Sequence, residues 1–221
     1  MIQRKLTGIE QQKKNPNRVN IYLDEQFAFG LHKYVAWRLK VGDVLDEQSI
    51  QHLQQEDVLE EAYQKALRLL GYRPRTEYEM RSRLAEYGYE ENCIDGVIAR
   101  LLEKEYLDDQ QFAEDWVENR NTFRPRGRRL LTLELRQKKV SEDQIRRALE
   151  TIPQDMELAH QAAEKYCGKL KGLDEKSFKH KLYGYLTRKG FMYEDIKPIL
   201  EEMWEENSSI NLAETEVTKD E

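Results

Sequence analysis

The 221-residue sequence predicts a mostly α-helical protein: three tandem three-helix repeats in an elongated, curved array, preceded by a small antiparallel β-sheet region. The first observation behind this is a period. Leu84, Leu135 and Leu186 are 51 residues apart, as are Met80, Leu131 and Leu182; Ile94, Ile145 and Ile196; Val97, Ala148 and Ile199; and Ile98, Leu149 and Leu200. Five apolar series in one register, between about residues 57 and 205, mark supersecondary units that each bury a face against their neighbours. The second is strand-like alternation confined to the first 55 residues. The third is composition: 35% charged residues and a mean hydropathy of -0.88 leave little apolar material for a deep core and suit thin helical layers.

In residues 1–55, Val19, Ile21 and Leu23 alternate with polar or aromatic neighbours, Asp24 and Glu25 form a turn, and Phe27, Phe29 and Leu31 resume the alternation, which is a hairpin. The Asn15, Pro16, Asn17 triplet marks a further turn, so Lys5 to Gln12 adds a third strand. A short helix near Lys33 to Leu39 and another after Asp46 lead into the repeats, separated by Gly42 and Asp43.

The repeats span 56–106, 107–153 and 154–206, with helices near 57–70, 76–87 and 91–105, then 109–123, 127–138 and 142–151, then 155–170, 174–189 and 193–206. Thr76 with Glu79, Asp108 with Gln111, and Ser141 with Gln144 have the reciprocal capping spacing that starts a helix. Gly71, Gly88 and Gly190 suit the left-handed residue that ends one. Pro198 lies past the first turn of its helix, where it should kink the helix or delay its start. Residues 207–221, polar and acidic, read as a disordered tail.

The net charge of -6 is unevenly spread. From Glu201 onward eight acids face Lys219 alone, whereas Arg120 to Val140 carries Arg120, Arg124, Arg126, Arg128, Arg129, Arg136, Lys138 and Lys139 against Glu134. The run Asn119 to Arg129 is the principal binding candidate, because Pro125 and Gly127 open a helix junction from which arginine forks can meet carboxylates or phosphates bidentately. Arg73, Arg75, Arg81 and Arg83 occupy the equivalent junction one repeat earlier and are secondary candidates. Phe112, Trp116 and Phe123 form one helical stripe and are assigned to the core rather than to base stacking.

Catalytic readings are weaker. Asp108, Asp109, Glu114 and Asp115 are explained by helix capping and the dipole of a helix start. His32, His52, His160 and His180 are scattered, and the sequence carries no phosphate loop, nucleophile elbow or zinc-binding helix motif. Cys93 and Cys167 lack a metal-binding spacing and read as small buried hydrophobes. No 18-residue apolar run or signal core is present, so a soluble, cytoplasmic, monomeric binding protein without catalytic residues, cofactor or metal is expected.

The chain resembles the RecX family of bacterial recombination regulators. The likeness lies in Y-L-D-D-x-x-F-A at Tyr106 to Ala113, Trp116, Arg120, P-R-G at Pro125 to Gly127, and L-x-x-E-L-R-x-K at Leu131 to Lys138. Upstream, R-P-R-T-E-x-E-M at Arg73 to Met80, with Arg83, Leu84 and Gly88, fits the family's opening repeat. Lys139 and Val140 depart from it, replacing the glycine turn seen at Gly88 and Gly190. The resemblance implies tandem three-helix repeats that lie in the groove of RecA filaments on DNA and restrain filament extension, ATP hydrolysis, strand exchange and stimulated repressor cleavage. That places it in DNA repair, homologous recombination and the SOS response, with weak contact to single- or double-stranded DNA at most. A nucleic-acid-binding repeat module acting alone is the alternative, and a hydrolase using Asp108, Asp109 and Asp115 is a third reading with little support.

Overall fold

The N-terminal alternation folds as a four-stranded antiparallel sheet of order β3-β2-β1-β4, from β1 (Gln3–Gln11), β2 (Arg18–Leu23), β3 (Gln26–His32) and β4 (Val44–Asp46). The structure is a computed structural model that describes the backbone of residues 3–217 and the side chains of residues 3–208. Strand β4 escapes the sequence reading because three residues are too few to show a period. Leu6, Ile21, Leu23 and Leu31 are fully buried and packed with Val35 and Ala36 of the short helix α1 (Lys33–Ala36). The β2–β3 turn holds Asp24 and Glu25 at φ +51° and +67°, a left-handed conformation that costs a non-glycine residue about 1 kcal/mol. Polar bonds offset it: Arg4 Nε and the Lys5 amide each donate to the Asp24 carboxylate at 3.0 Å, and the Glu25 amide donates to Thr7 Oγ1 at 2.8 Å.

Helix α2 (Glu47–Tyr72) begins where the Asp46 side chain accepts from the Ser49 amide at 2.8 Å. It is one 26-residue helix that crosses the expected boundary at residue 55: Leu53 joins the sheet's core, while Ala62, Tyr63 and Ala66 join the core of the first repeat. Buried Asp57 ties helix to sheet, accepting from Arg18 Nη2 at 2.6 Å and from the His32 amide at 2.5 Å. These bonds replace the water that the carboxylate gives up. Gly71, expected to end a helix, instead lies inside α2. The helix stops after Tyr72 because Arg73 precedes Pro74 and is held extended at φ -165°.

The remaining helices are α3 (Glu77–Glu86), α4 (Glu91–Glu103), α5 (Asp109–Phe123), α6 (Arg128–Gln137), α7 (Glu142–Glu150), α8 (Asp155–Cys167), α9 (Glu175–Arg188) and α10 (Tyr193–Val217). The sheet and α2–α4 form one compact unit, Met1–Asp108, and the second and third repeats form another, Asp109–Glu221. Members of four of the five periodic series are buried in every repeat; in the fifth, Ile98 is buried while Leu149 and Leu200 are half-buried. The Thr76 hydroxyl accepts from the Glu79 amide, and Ser141 with Gln144 forms the full reciprocal cap. Gly88, Lys139 and Gly190, again 51 apart, all have positive φ, at +85°, +60° and +90°.

Pro198 neither delays the start of α10 nor ends it, since Ile196, Ile199 and Met203 anchor that helix in the core on both sides of the missing donor. Helix α10 also runs beyond residue 206. It reaches Val217, inside the stretch read as a disordered tail, and residues 218–221 lie outside the described residues.

Candidate functional site

The P-R-G segment is built into the packing of the second repeat against the third. Pro125 and Gly127 are buried, and the Gly127 amide donates to the Lys189 carbonyl at 2.9 Å in the turn between α9 and α10. A side chain has no room there: a Cβ on Gly127 would lie 2.6 Å from the Gly190 carbonyl oxygen. The next residue is equally committed. The Arg128 amide donates to both Asp155 carboxylate oxygens at 3.1 and 3.2 Å, and its Nη2 donates to the carbonyls of Ile152 at 2.9 Å and Pro153 at 3.1 Å. Arg128 therefore clasps the link between α7 and α8 rather than fanning outward. Burial raises the Asp155 pKa, opposed by the hydrogen bond and charge of Arg128.

Glu134 organises the other side of the junction. Its Oε2 accepts from Trp116 Nε1 at 2.9 Å and Arg120 Nε at 3.3 Å, and its Oε1 pairs with Arg126. Arg120 and Lys138 lie 4.2 and 4.5 Å from the centre of the Trp116 ring, which stacks on Phe112. Half-buried Arg126 has its pKa lowered, first by burial and then by Arg120 and Arg124. Arg136 pairs bidentately with Glu142 at 2.6 and 2.8 Å. Of the eight principal candidates, Arg124 and Arg129 are exposed and make no ion pair among the described residues.

Two lysines absent from the sequence reading complete this surface. Burial, then Arg126 and Arg124, lower the pKa of Lys189, so the three cations stand close together. Lys165 Nζ reaches the Thr122 carbonyl at 3.4 Å, at the end of α5 just before Arg124. The period could have found Lys189, which follows Lys138 by 51 residues; Lys165 carries no such mark. Phe123, assigned to the core by its stripe, is 70% exposed, because it is the last residue of α5 and the chain turns away at Pro125. The result is a cationic surface with a protruding aromatic ring.

The secondary candidates are mostly paired. Arg73 holds Glu79 at 2.8 Å, Arg81 holds Glu77 at 2.7 Å and Asp95 at 2.6 Å, and Arg83 pairs with Glu86. Such exposed pairs are worth under about 1 kcal/mol and can be exchanged for a partner's anion. Arg75 matches Arg126 in register and in environment: half-buried, its Nε on the Leu69 carbonyl at 3.2 Å, its pKa lowered by burial and then by Arg73.

Beside the acidic cluster, Gln110 donates to Glu114 at 2.7 Å and Gln111 to Asp115 at 2.8 Å along α5. Among the described residues no group of three or more His, Cys, Asp or Glu could hold a metal ion, and no helix is long and apolar enough to cross a membrane. Both cysteines are free; burial raises the Cys93 thiol and pushes Cys167 up to about 11, which disfavours the reactive thiolate at both.

Fold and surface together define a class: a tandem three-helix repeat protein with an N-terminal sheet, displaying cations at a repeat junction. Sequence models of the RecX regulatory protein's N-terminal domain (residues 4–46) and of the first, second and third RecX three-helix domains (62–101, 108–149 and 154–200) match in order. The regulatory protein RecX of Bacillus velezensis is 35% identical over 208 residues, covering 91% of this chain and 78% of its own. That of Clostridium perfringens strain 13 is 34% identical over 196 residues, covering 86% and 92%. A crystal structure of regulatory protein RecX superimposes with a TM-score of 0.74 at 30% identity, covering 90% of this chain and 99% of the other. The chain belongs to the RecX family of regulatory proteins.

Proposed function

We propose that this chain is a cytoplasmic, non-enzymatic and monomeric regulator of RecA, mainly a negative one. It binds in the groove of RecA–DNA filaments and limits filament extension, ATP hydrolysis and strand exchange in recombination, repair and the SOS response. Family membership supports the partner, and one observation supports the surface: Arg124 and Arg129 flank the P-R-G junction as exposed arginines without an ion pair among the described residues. Their forks are available to carboxylates or phosphates without first breaking an ion pair; Arg129 would give up only a weak contact of its Nη1 with Met192 Sδ at 4.0 Å. Repeated helical units can meet successive filament subunits, so contacts that are individually weak add through effective concentration.

The test is ATP hydrolysis by preformed RecA filaments on single-stranded DNA, with this protein added below one copy per recombinase. Hydrolysis should fall. Unchanged hydrolysis, together with binding to naked DNA that weakens steeply with salt, would replace this reading with that of a nucleic-acid-binding module acting alone.

A further inference from the structure

Independently of the reading above, the first unit carries an exposed face of rings and unpaired lysines. Although the chain is net acidic at -6, residues 1–40 hold eight basic residues against Glu10, Asp24 and Glu25. Asp24 and Glu25 occupy the β2–β3 turn, at the far end of a seven-residue strand from α1, roughly 20 Å away along β3. At the near end, α1 buries Val35 and Ala36 and turns its other side to water: Tyr34 is 59% exposed and Trp37 is 81% exposed. Three residues apart on one helical turn, the two rings share a face. Lys33 Nζ sits 5.4 Å from the centre of the Tyr34 ring, and the Lys33 amide donates to the Asn17 carbonyl at 2.8 Å, which brings the Lys13–Lys14 turn beside α1. Lys13, Lys14, Lys33 and Lys40 are all exposed and make no ion pair among the described residues. Glu56, the nearby carboxylate on α2, is already taken by Arg38 and His52.

Largely exposed indole and phenol rings, Tyr34 resting on His32 at 5.2 Å and Lys33 over its ring, with unpaired ammonium groups on the adjoining segments, match one ligand chemistry: flat aromatic bases on a polyanionic backbone. An apolar protein partner would have to desolvate lysines, which are depleted from protein interfaces; a phosphate chain needs them. Bases inside a duplex keep their faces stacked on one another, so the ligand must be single-stranded. We propose that Tyr34 and Trp37 form a stacking platform for single-stranded nucleic acid, with Lys13, Lys14, Lys33 and Lys40 along its backbone path.

The test is fluorescence anisotropy of a labelled oligothymidylate with the full chain at low salt, circular dichroism confirming that each variant is folded. Tyr34→Ala with Trp37→Ala should weaken binding about tenfold per ring. Lys13→Glu with Lys33→Glu should lower the slope of affinity against salt. Trp37→Phe should retain most affinity while abolishing the quenching of indole emission on binding, a signature that a merely structural role would not produce. Wild-type affinity in the folded double-ring variant overturns the proposal. So does an absence of oligothymidylate binding by the wild type; if the ring variant then also fails to slow RecA hydrolysis, the face docks protein instead. The filament assay above does not depend on this outcome, so either reading can fail alone.

Discussion

Gly127 and Gly190 meet backbone to backbone: Gly127 donates to the carbonyl of the residue preceding Gly190, and a Cβ on Gly190 would lie 2.5 Å from Leu130 Cβ. The glycine of the P-R-G segment is therefore a packing requirement between repeats. Gly127→Ala should destabilise the second unit by about 1–3 kcal/mol, the usual cost of overpacking. Gly190→Ala should cost at least as much, because φ is also +90° there. Urea unfolding of each variant measures this; two variants as stable as wild type would show that the turns can separate freely.

Lys139 stands where the first and third repeats use glycine, at φ +60°. Lys139→Gly relieves a left-handed strain of about 1–2 kcal/mol and gives back part of it as unfolded-chain entropy. A net gain of about 0.5–1 kcal/mol in unfolding free energy is expected, while the same substitution at Lys138 should destabilise. A neutral Lys139→Gly would mean that the lysine's own contacts compensate.

Asp155 makes stability depend on pH in an uncommon direction for a carboxylate. Its pKa is raised in the folded state, so the native chain holds that proton more tightly than the unfolded chain does. The corresponding stability is fully present below the ordinary aspartate value of about 3.9 and is lost as pH rises through the raised value. Asp195 adds to the rise, while Arg128 opposes it. Asp155→Asn keeps an acceptor for the Arg128 amide, so its stability relative to wild type should increase across that window, read from unfolding midpoints at a series of pH values.

Charge reversal separates contact from scaffold. Arg124→Glu with Arg129→Glu should leave the fold intact and weaken inhibition of filament hydrolysis about tenfold or more, since neither side chain makes an ion pair among the described residues and Arg129 reaches another element only through a weak 4.0 Å contact with Met192 Sδ. Arg128→Glu should unfold or loosen the second unit, by about 2–4 kcal/mol, because it puts a second carboxylate beside Asp155 and abandons two carbonyls. Full inhibition by a folded Arg124/Arg129 double variant would sink the surface assignment.

Asp57→Ala should cost about 2–3 kcal/mol, since it leaves the buried His32 amide without its acceptor and removes the nearest partner of the Arg18 guanidinium, which keeps only the Gly30 carbonyl at 3.2 Å and Glu61 at 3.8 Å. Asp57→Asn should recover part of this through its remaining carbonyl oxygen. Thermal unfolding ranks the three proteins, and equal midpoints would show that water substitutes for the carboxylate.

The helices were legible because their signals are local. A buried face repeats every three or four residues and a cap lies three residues from its partner; position 139, read from the sequence as a departure from the glycine turn of the other repeats, nevertheless keeps the left-handed conformation of Gly88 and Gly190. The same locality explains the failures at element ends: β4 is too short for a period, α2 runs on through residue 55 because both its faces find cores, and Phe123 continues a stripe past the point where anything covers it.

What the sequence by itself determined is the repeat plan, the hairpin and the concentration of arginine around Pro125. Which of those arginines face a partner was decided by tertiary structure. Arg126 turns to Glu134, eight residues on, Arg128 to carbonyls 24 and 25 residues on, and Lys189 arrives from the next repeat, while Arg124 and Arg129 are left outside. Apolar periodicity is a property of neighbours along the chain, but a charge is committed or free according to what folding brings within a few ångströms of it.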